Sequence, residues 1–197
     1  MLSAAVMLSL LALIAMTPRS EAATQQPEPR SSTAEISLRT SGIYSEIFEM
    51  AMDAYRDQNI EAALSLWKPI AESGYAAAQY NVGVAHARGL LGAQDMHVAQ
   101  KWWQAAAQQG NVDAQYNLGL LYATGNGVDL DMKKAVHWWQ QAATIGDPAA
   151  QFNLGMMYAR GEGVDQNMDA AIHWWSQSAA QKFPQAEKML NELATKH

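Results

Sequence analysis

The sequence predicts an all-α protein, an α/α superhelical solenoid built from tandem helical hairpins. One pattern recurs every 36 residues without a gap, and a fixed period of this length is typical of repeats that bury their apolar faces only against their neighbours. Apolar residues recur at helical spacing within each period. Capping residues and glycines recur where helices are expected to begin and end. These observations favour a surface that holds a partner over a pocket for chemistry.

Residues 1–22 are predicted to form a signal peptide. Residues 2–16 are an apolar run, shorter than the roughly 20 residues that a bilayer span needs. Ser20-Glu21-Ala22 offers small residues to a signal peptidase, so cleavage is expected after Ala22. No lysine or arginine precedes the run, which leaves a weak anchor or a buried N-terminal helix as alternatives. Export would place the protein in the periplasm or outside the cell, without a stable membrane span after cleavage.

A flexible linker is predicted at residues 23–41. The stretch from Gln25 to Thr33 is rich in proline, serine and glutamine and poor in large apolar residues. Such a composition buries too little surface to offset the entropy lost on ordering.

Four repeats are predicted next, at 39–74, 75–110, 111–146 and 147–182, followed by a C-terminal capping helix within 183–197. Their register rests on aromatic residues 36 positions apart: Tyr44, Tyr80, Tyr116 and Phe152, and Trp67, Trp103, Trp139 and Trp175. The first repeat lacks the glycines between its helices and is therefore predicted to cap the N-terminal end of the array.

Each repeat is predicted to contain two antiparallel helices, helix A and helix B. Helix A of the last repeat is expected to begin at Asp147-Pro148 and to end near Arg160, before Gly161. Every helix B is expected to begin at a capping residue: Asn59, Asp95, Asp131 and Asn167. Lys182 replaces the glycine that ends the earlier helices B. Pro69 is expected to kink helix B of the first repeat or to end it early.

Charge and composition exclude some classes of function. The 197 residues carry a formal net charge of −6 and contain no run of lysine or arginine. A nucleic-acid-binding protein normally carries a basic stripe, so that class is not expected. The absence of cysteine excludes disulfides and thiolate metal ligands.

The order of residues in the repeats resembles the Sel1-like repeat family, whose 36-residue units are related to tetratricopeptide repeats. Residues 114–119 read Ala-Gln-Tyr-Asn-Leu-Gly, and Tyr122, Gly125-Asn126-Gly127-Val128 and Trp138-Trp139 follow in the family's order. The resemblance implies an adaptor or scaffold. Exported members of the family often serve as periplasmic or secreted regulators and assembly factors.

No catalytic residue, metal site or cofactor is predicted. Ser65 and Lys68 match the Ser-x-x-Lys motif of serine β-lactamases, but the companion motifs are absent, so a hydrolase is only an alternative. His137 and His173 lie one repeat apart. Neighbouring helices are about 8–10 Å apart, too far for one zinc ion with nitrogens at about 2 Å, and a solvated row is expected.

The tryptophan pairs admit two interpretations. Adjacent residues on a helix point about 100° apart, so one ring can pack inside its repeat and the other against the next. This predicts core packing. The alternative is a carbohydrate or cell-wall binder that stacks sugars on exposed rings.

The candidate partner-binding residues lie on helix A: Asn81, Asn117, Asn153, Arg88 and Arg160. In the related tetratricopeptide domains, the position of the asparagines faces the concave groove, where an amide can bond a peptide backbone. The arginines lie two turns further along and can engage a carboxylate. The alternatives are a bond to the neighbouring repeat for the asparagines and solvated surface for the arginines. The sequence therefore predicts a non-enzymatic scaffold in the cell envelope that binds a protein or peptide on its concave face.

Overall fold

The computed structural model describes residues 33–90 and 92–195, and every regular element among them is an α-helix. One compact unit comprises Arg39–His197. The helices, in chain order, are α1 Thr33–Arg56, α2 Ile60–Glu72, α3 Ala76–Arg88, α4 Met96–Gln108, α5 Val112–Thr124, α6 Met132–Ile145, α7 Pro148–Arg160, α8 Met168–Ala180 and α9 Pro184–Ala194.

The N-terminal predictions fall partly outside the described residues. The signal peptide at 1–22 and residues 23–32 of the linker lie there. Helix α1 begins at Thr33, so residues 33–41, which the sequence analysis assigns to the flexible linker, are helical. The physical reason is that the last proline of this segment is Pro29, and the chain after Thr33 supplies good helix formers such as Ala34 and Leu38.

Successive helices pack as hairpins, α3 with α4, α5 with α6 and α7 with α8, and each helix B also packs against the next helix A. The predicted starts of the helices B are confirmed. The side chains of Asn59, Asp95, Asp131 and Asn167 each accept a hydrogen bond from the backbone N–H three residues later, at 2.9–3.2 Å. Helix α7 begins at Pro148 after its cap Asp147, and Gly161 ends it with φ 71°. The all-α solenoid is thereby confirmed for the described residues.

Pro69 is predicted to kink its helix or to end it early, and the second of these alternatives is wrong. Helix α2 continues through Pro69 to Glu72, the position at which the equivalent helix α4 ends one repeat later. Pro69 and Ser65, whose carbonyl would have accepted the missing bond, are both exposed, so water can replace that bond. At the other end of the array, Lys182 adopts φ 62°, at a position where earlier repeats have glycine.

One tryptophan of each pair forms the core. Trp67, which follows Leu66 and has no tryptophan beside it, and Trp103, Trp139 and Trp175, each the second of its pair, are at most 5% exposed. The last three lie against a glycine in helix A of the same hairpin: Gly83, Gly119 and Gly155. A Cβ on any of these glycines would come within 2.4–2.6 Å of the indole ring. The preceding residues, Trp102, Trp138 and Trp174, are half-buried. The prediction of core packing is thus confirmed for the second tryptophan of each pair.

Buried glutamines join each hairpin to the one before it. The side-chain nitrogens of Gln79, Gln115 and Gln151 donate to the carbonyls of Ala71, Ala107 and Ala143, each at 3.1 Å. In two of the three cases a second glutamine, thirty residues later, donates to the buried side-chain oxygen. Gln109 bonds Gln79 at 2.8 Å, and Gln181 bonds Gln151 at 2.9 Å. Ile145 occupies this position in the middle hairpin, and the Oε1 atom of Gln115 has no partner among the described residues.

Replacing Ile145 with glutamine is expected to stabilise the protein by about 1 kcal/mol, because a side-chain N–H would then pair the buried Oε1 of Gln115. Ile145 is 59% exposed, so little apolar burial is lost. Urea unfolding followed by circular dichroism measures the change. Ile172→Gln, at a 39% exposed isoleucine on α8, is the control and should not stabilise. An equal gain from both variants would contradict this explanation.

Candidate partner-binding face

The predicted binding residues lie on one stripe of each helix A, here called the helix-A face. It contains three rows on α3, α5 and α7: Asn81, Asn117 and Asn153; Val84, Leu120 and Met156; Arg88, Thr124 and Arg160. Within each helix the members are three and four residues apart, which places them side by side on one surface. The rows thus run from hydrogen-bonding amides through apolar side chains to two cations.

The asparagine row is half-buried, and two of its members reach the preceding helix A. The amide nitrogen of Asn81 lies 3.5 Å from the sulfur of Met52, a weak contact. The side chain of Asn117 forms a hydrogen bond with the hydroxyl of Tyr80. Asn153 is half-buried in the same way. These contacts go to side chains, not to the neighbouring repeat's backbone, and an amide retains further donors and acceptors for a ligand.

The two arginines are exposed on the same face. Arg88 donates from Nη1 to the hydroxyl of Tyr55 at 3.4 Å, a long bond to the preceding helix A. Arg160 forms an ion pair with Glu162, with 3.9 Å between Nη1 and Oε2. A surface pair of this length contributes little to stability. Both guanidinium groups therefore have donors for a partner's carboxylate.

The apolar middle row was missed by the sequence analysis. Leu120 is 44% exposed, and Val84 and Met156 are half-buried. Phe48 continues this row on α1, 36 residues before Val84. The signal was present in the spacing, since Val84 follows Asn81 by three residues and precedes Arg88 by four.

The surroundings of Tyr80 raise the pKa of its hydroxyl. Burial is the largest cause, and the carboxylate of Asp113 adds to it. The hydrogen bond with Asn117 and the charge of Arg88 act in the opposite direction. Tyr80 therefore keeps its proton at neutral pH and adds a neutral hydroxyl to the helix-A face.

Other residues with possible chemistry lie elsewhere. The hydroxyl of Ser65 donates to the carbonyl of Ala62 in its own helix at 2.7 Å. His137 and His173 are exposed, each edge-on to the tryptophan that follows it. Among the described residues, no three histidine or carboxylate side chains are close enough to share a metal ion. No helix in that part of the chain is long and apolar enough to cross a membrane.

Comparison with known families agrees with the repeat register. The model of the Sel1 repeat matches residues 76–111, 112–147 and 148–183, more than half of the chain. Each match begins one residue after the predicted start of the corresponding repeat. No match covers residues 39–74, so the first of the four predicted repeats stays a prediction. No curated protein matches the chain.

The solved structures that are similar to this chain include two Sel1-like proteins with more than 30% sequence identity. A Sel1 repeat protein from Oxalobacter formigenes is 35% identical with a TM-score of 0.60, over 64% of this chain and 95% of that one. The second is c5321, described as a protective antigen present in uropathogenic Escherichia coli strains displaying an SLR fold. It is 41% identical with a TM-score of 0.58, over 60% of this chain. The match spans 25% of the length of c5321.

Sel1 repeat proteins are generally scaffolds for protein interactions, and the family is generally non-catalytic. The three consecutive matches coincide with the hairpins α3–α4, α5–α6 and α7–α8, and the solved neighbour from Oxalobacter formigenes has the same repeat. On these grounds the chain belongs to the Sel1 repeat family.

Proposed function

We propose that this protein is a non-catalytic scaffold that binds an extended protein segment on the helix-A face. The observation that carries the proposal is the register of the three rows. An amide, an apolar side chain and, on two helices, an arginine follow one another on α3, α5 and α7. An exposed leucine in the middle of this stripe is not needed to pack the hairpins against each other. Its exposure therefore favours contact with a partner.

Each of the three rows would make a different type of contact with the partner. Asparagine amides can donate to and accept from a peptide backbone without regard to its side chains. Leu120 and its neighbours would bury an apolar side chain of the partner. Arg88 and Arg160 would pair with an acidic side chain or a terminal carboxylate. Packed helices are generally about 8–10 Å apart and an extended chain advances about 3.3 Å per residue, so contacts with neighbouring helices A would fall about three residues apart in the partner.

The proposal places this scaffold in the cell envelope, periplasmic or secreted. Its support is the apolar run at residues 2–16 with small residues before position 23. Bacterial Sel1 repeat proteins are often exported. The partner should accordingly be an envelope protein.

The experiment begins with cross-linking of tagged protein in the envelope fraction and identification of its partner by mass spectrometry. The purified partner is then titrated calorimetrically against variants. Leu120→Glu is expected to lower affinity at least tenfold, because it sets an unpaired charge against an apolar contact. The triple change of Asn81, Asn117 and Asn153 to alanine should also weaken binding.

Ile172→Glu is the matched control, since Ile172 on α8 is 39% exposed and does not belong to the helix-A face. It should bind the partner as the unaltered protein does. If Leu120→Glu and the triple variant are folded and bind with unchanged affinity, the helix-A face is not the binding surface.

A further inference from the structure

One asparagine of the sequence is followed by glycine. It is Asn126, in the loop at residues 125–131 between α5 and α6, here called the middle loop. Asn126 and Gly127 are both exposed. An asparagine before a glycine can lose its side-chain amide without an enzyme, because glycine has no Cβ to obstruct attack by its backbone nitrogen on the neighbouring carboxamide carbon. In a folded protein, this reaction depends on how freely the two residues move.

Hydrogen bonds hold the middle loop at its two ends only. The backbone N–H groups of Gly125 and Asp131 donate to carbonyls of α5 at 3.0 and 2.9 Å. Between these two bonds, no backbone N–H of residues 126–130 donates to an acceptor in the described part of the chain. The side chain of Asn126 makes no hydrogen bond there either. The two groups that would react are therefore not restrained by hydrogen bonds.

The equivalent loops on either side are also held in their middle. The side chains of Gln94 and Gln166 donate to carbonyls of the preceding helices A at 2.6 and 2.8 Å. The middle loop has Leu130 at this position, and its side chain is 60% exposed. In both flanking loops the backbone N–H at the position of Asn126 also donates to a carbonyl, at 2.9 and 3.2 Å. A segment with fewer bonds opens more readily by local fluctuation, so the middle loop restrains ring closure least.

We propose that Asn126 is a site of spontaneous deamidation. The backbone nitrogen of Gly127 forms a bond to the Cγ atom of Asn126. The side-chain nitrogen takes the amide proton of Gly127 and leaves as ammonia. Water then opens the cyclic imide at either carbonyl carbon, which yields aspartate or isoaspartate. Water is the only co-reactant, so the product accumulates with the age of the protein, and the site does not depend on the helix-A face being a binding surface.

The two products should affect the fold differently. Aspartate adds a charge at an exposed position where the next loop already has Glu162, so we expect it to be tolerated. Isoaspartate passes the main chain through the side-chain carbon and lengthens it by one atom. Gly127 has little room for this change, because a Cβ on it would lie 2.6 Å from the Cβ of Met96 at the start of α4. Isoaspartate should therefore loosen the contact between the hairpins α3–α4 and α5–α6.

The test is incubation of the purified protein at physiological temperature in mildly alkaline buffer, followed by trypsin digestion and mass spectrometry. Cleavage after Lys101 and Lys133 releases one peptide that also contains Asn111 and Asn117. Asn126 is expected to convert about tenfold faster than these two or more, since valine and leucine follow them. Fragmentation of the peptide assigns the site. Methylation by a purified isoaspartyl methyltransferase measures the isoaspartate.

Three variants separate the effect of the loop from that of the dipeptide. Leu130→Gln supplies the glutamine that holds the flanking loops and is expected to slow the conversion of Asn126 several-fold. Glu162→Asn makes the same dipeptide in the next loop, where Gln166 is retained, and the new asparagine should convert more slowly than Asn126. Asn126→Gln, whose longer side chain closes a ring less readily, should remove the mass change from the peptide.

The proposal is overturned if Asn126 converts no faster than Asn111 and Asn117. It is also overturned if Leu130→Gln leaves the rate unchanged and the asparagine of Glu162→Asn converts as fast as Asn126, because the dipeptide alone would then set the rate. Circular dichroism verifies that each variant is folded.

Urea unfolding measures the consequence for the fold. Asn126→Asp is expected to unfold as the fresh unaltered protein does, and aged protein rich in isoaspartate at a lower urea concentration. If the aged protein unfolds as Asn126→Asp does, isoaspartate does not disturb the contact with Met96.

Discussion

Replacing Trp139 with alanine is expected to lower the free energy of unfolding by about 4 kcal/mol, because the ring is 3% exposed and fills the centre of the α5–α6 hairpin. The cavity would be lined by Gly119 and other residues that cannot move in to fill it. Urea unfolding followed by circular dichroism measures the loss, since fluorescence would change with the removal of a tryptophan.

Trp138→Ala is the natural control. The two residues are adjacent, identical in size and in the same helix, but Trp138 is only half-buried. We expect its loss to cost less than half as much. If the two alanine variants lose the same free energy of unfolding, Trp139 is not the core member of the pair and Trp138 is not a ring on the flank of the hairpin.

Gly119→Ala is expected to destabilise the protein by about 2 kcal/mol, although alanine is the better helix former. The added Cβ would lie 2.4 Å from the ring of Trp139, so the ring or the helix must shift. The same change at Gly42, where a Cβ meets no atom within 4 Å, should instead stabilise helix α1 by about 0.5–1 kcal/mol.

A double-mutant cycle separates the clash from other effects of the glycine. In a Trp139→Leu background the smaller side chain leaves room for the Cβ, so Gly119→Ala should there be neutral or slightly stabilising. Thermal and urea unfolding of the four proteins measures the coupling. If Gly119→Ala costs as much in both backgrounds, contact with the ring is not the reason for glycine at this position.

Local features of the fold could be predicted because their causes are local. The caps at Asp95 and Asp131 and the end of α7 at Gly161 follow from which residues satisfy helix ends. The end of α2 could not be predicted from Pro69 alone. Its effect depends on whether the carbonyl that loses its bond reaches water, and that is a property of the packed hairpin.

The candidate sites were predicted less completely. Asn117 and Arg88 were identified because they recur or share a helix face, but Leu120 between the rows was not. A surface leucine has no distinguishing local sequence pattern. Its role can be inferred only from the residues that lie beside it on the folded surface. The bond between Asn117 and Tyr80 joins successive helices A, and only helix packing brings the two residues together.

By itself, the sequence determined that this protein is a helical repeat array with a 36-residue period, and which residues begin and end most of its helices. Those properties depend on spacing along one chain and on interactions within a few residues. The tertiary structure alone decided which tryptophan of each pair is buried, why the glycine opposite it is needed, and that Ile145 leaves the Oε1 atom of Gln115 without a partner among the described residues. These depend on distances between separate helices, which are set by packing and not by sequence separation.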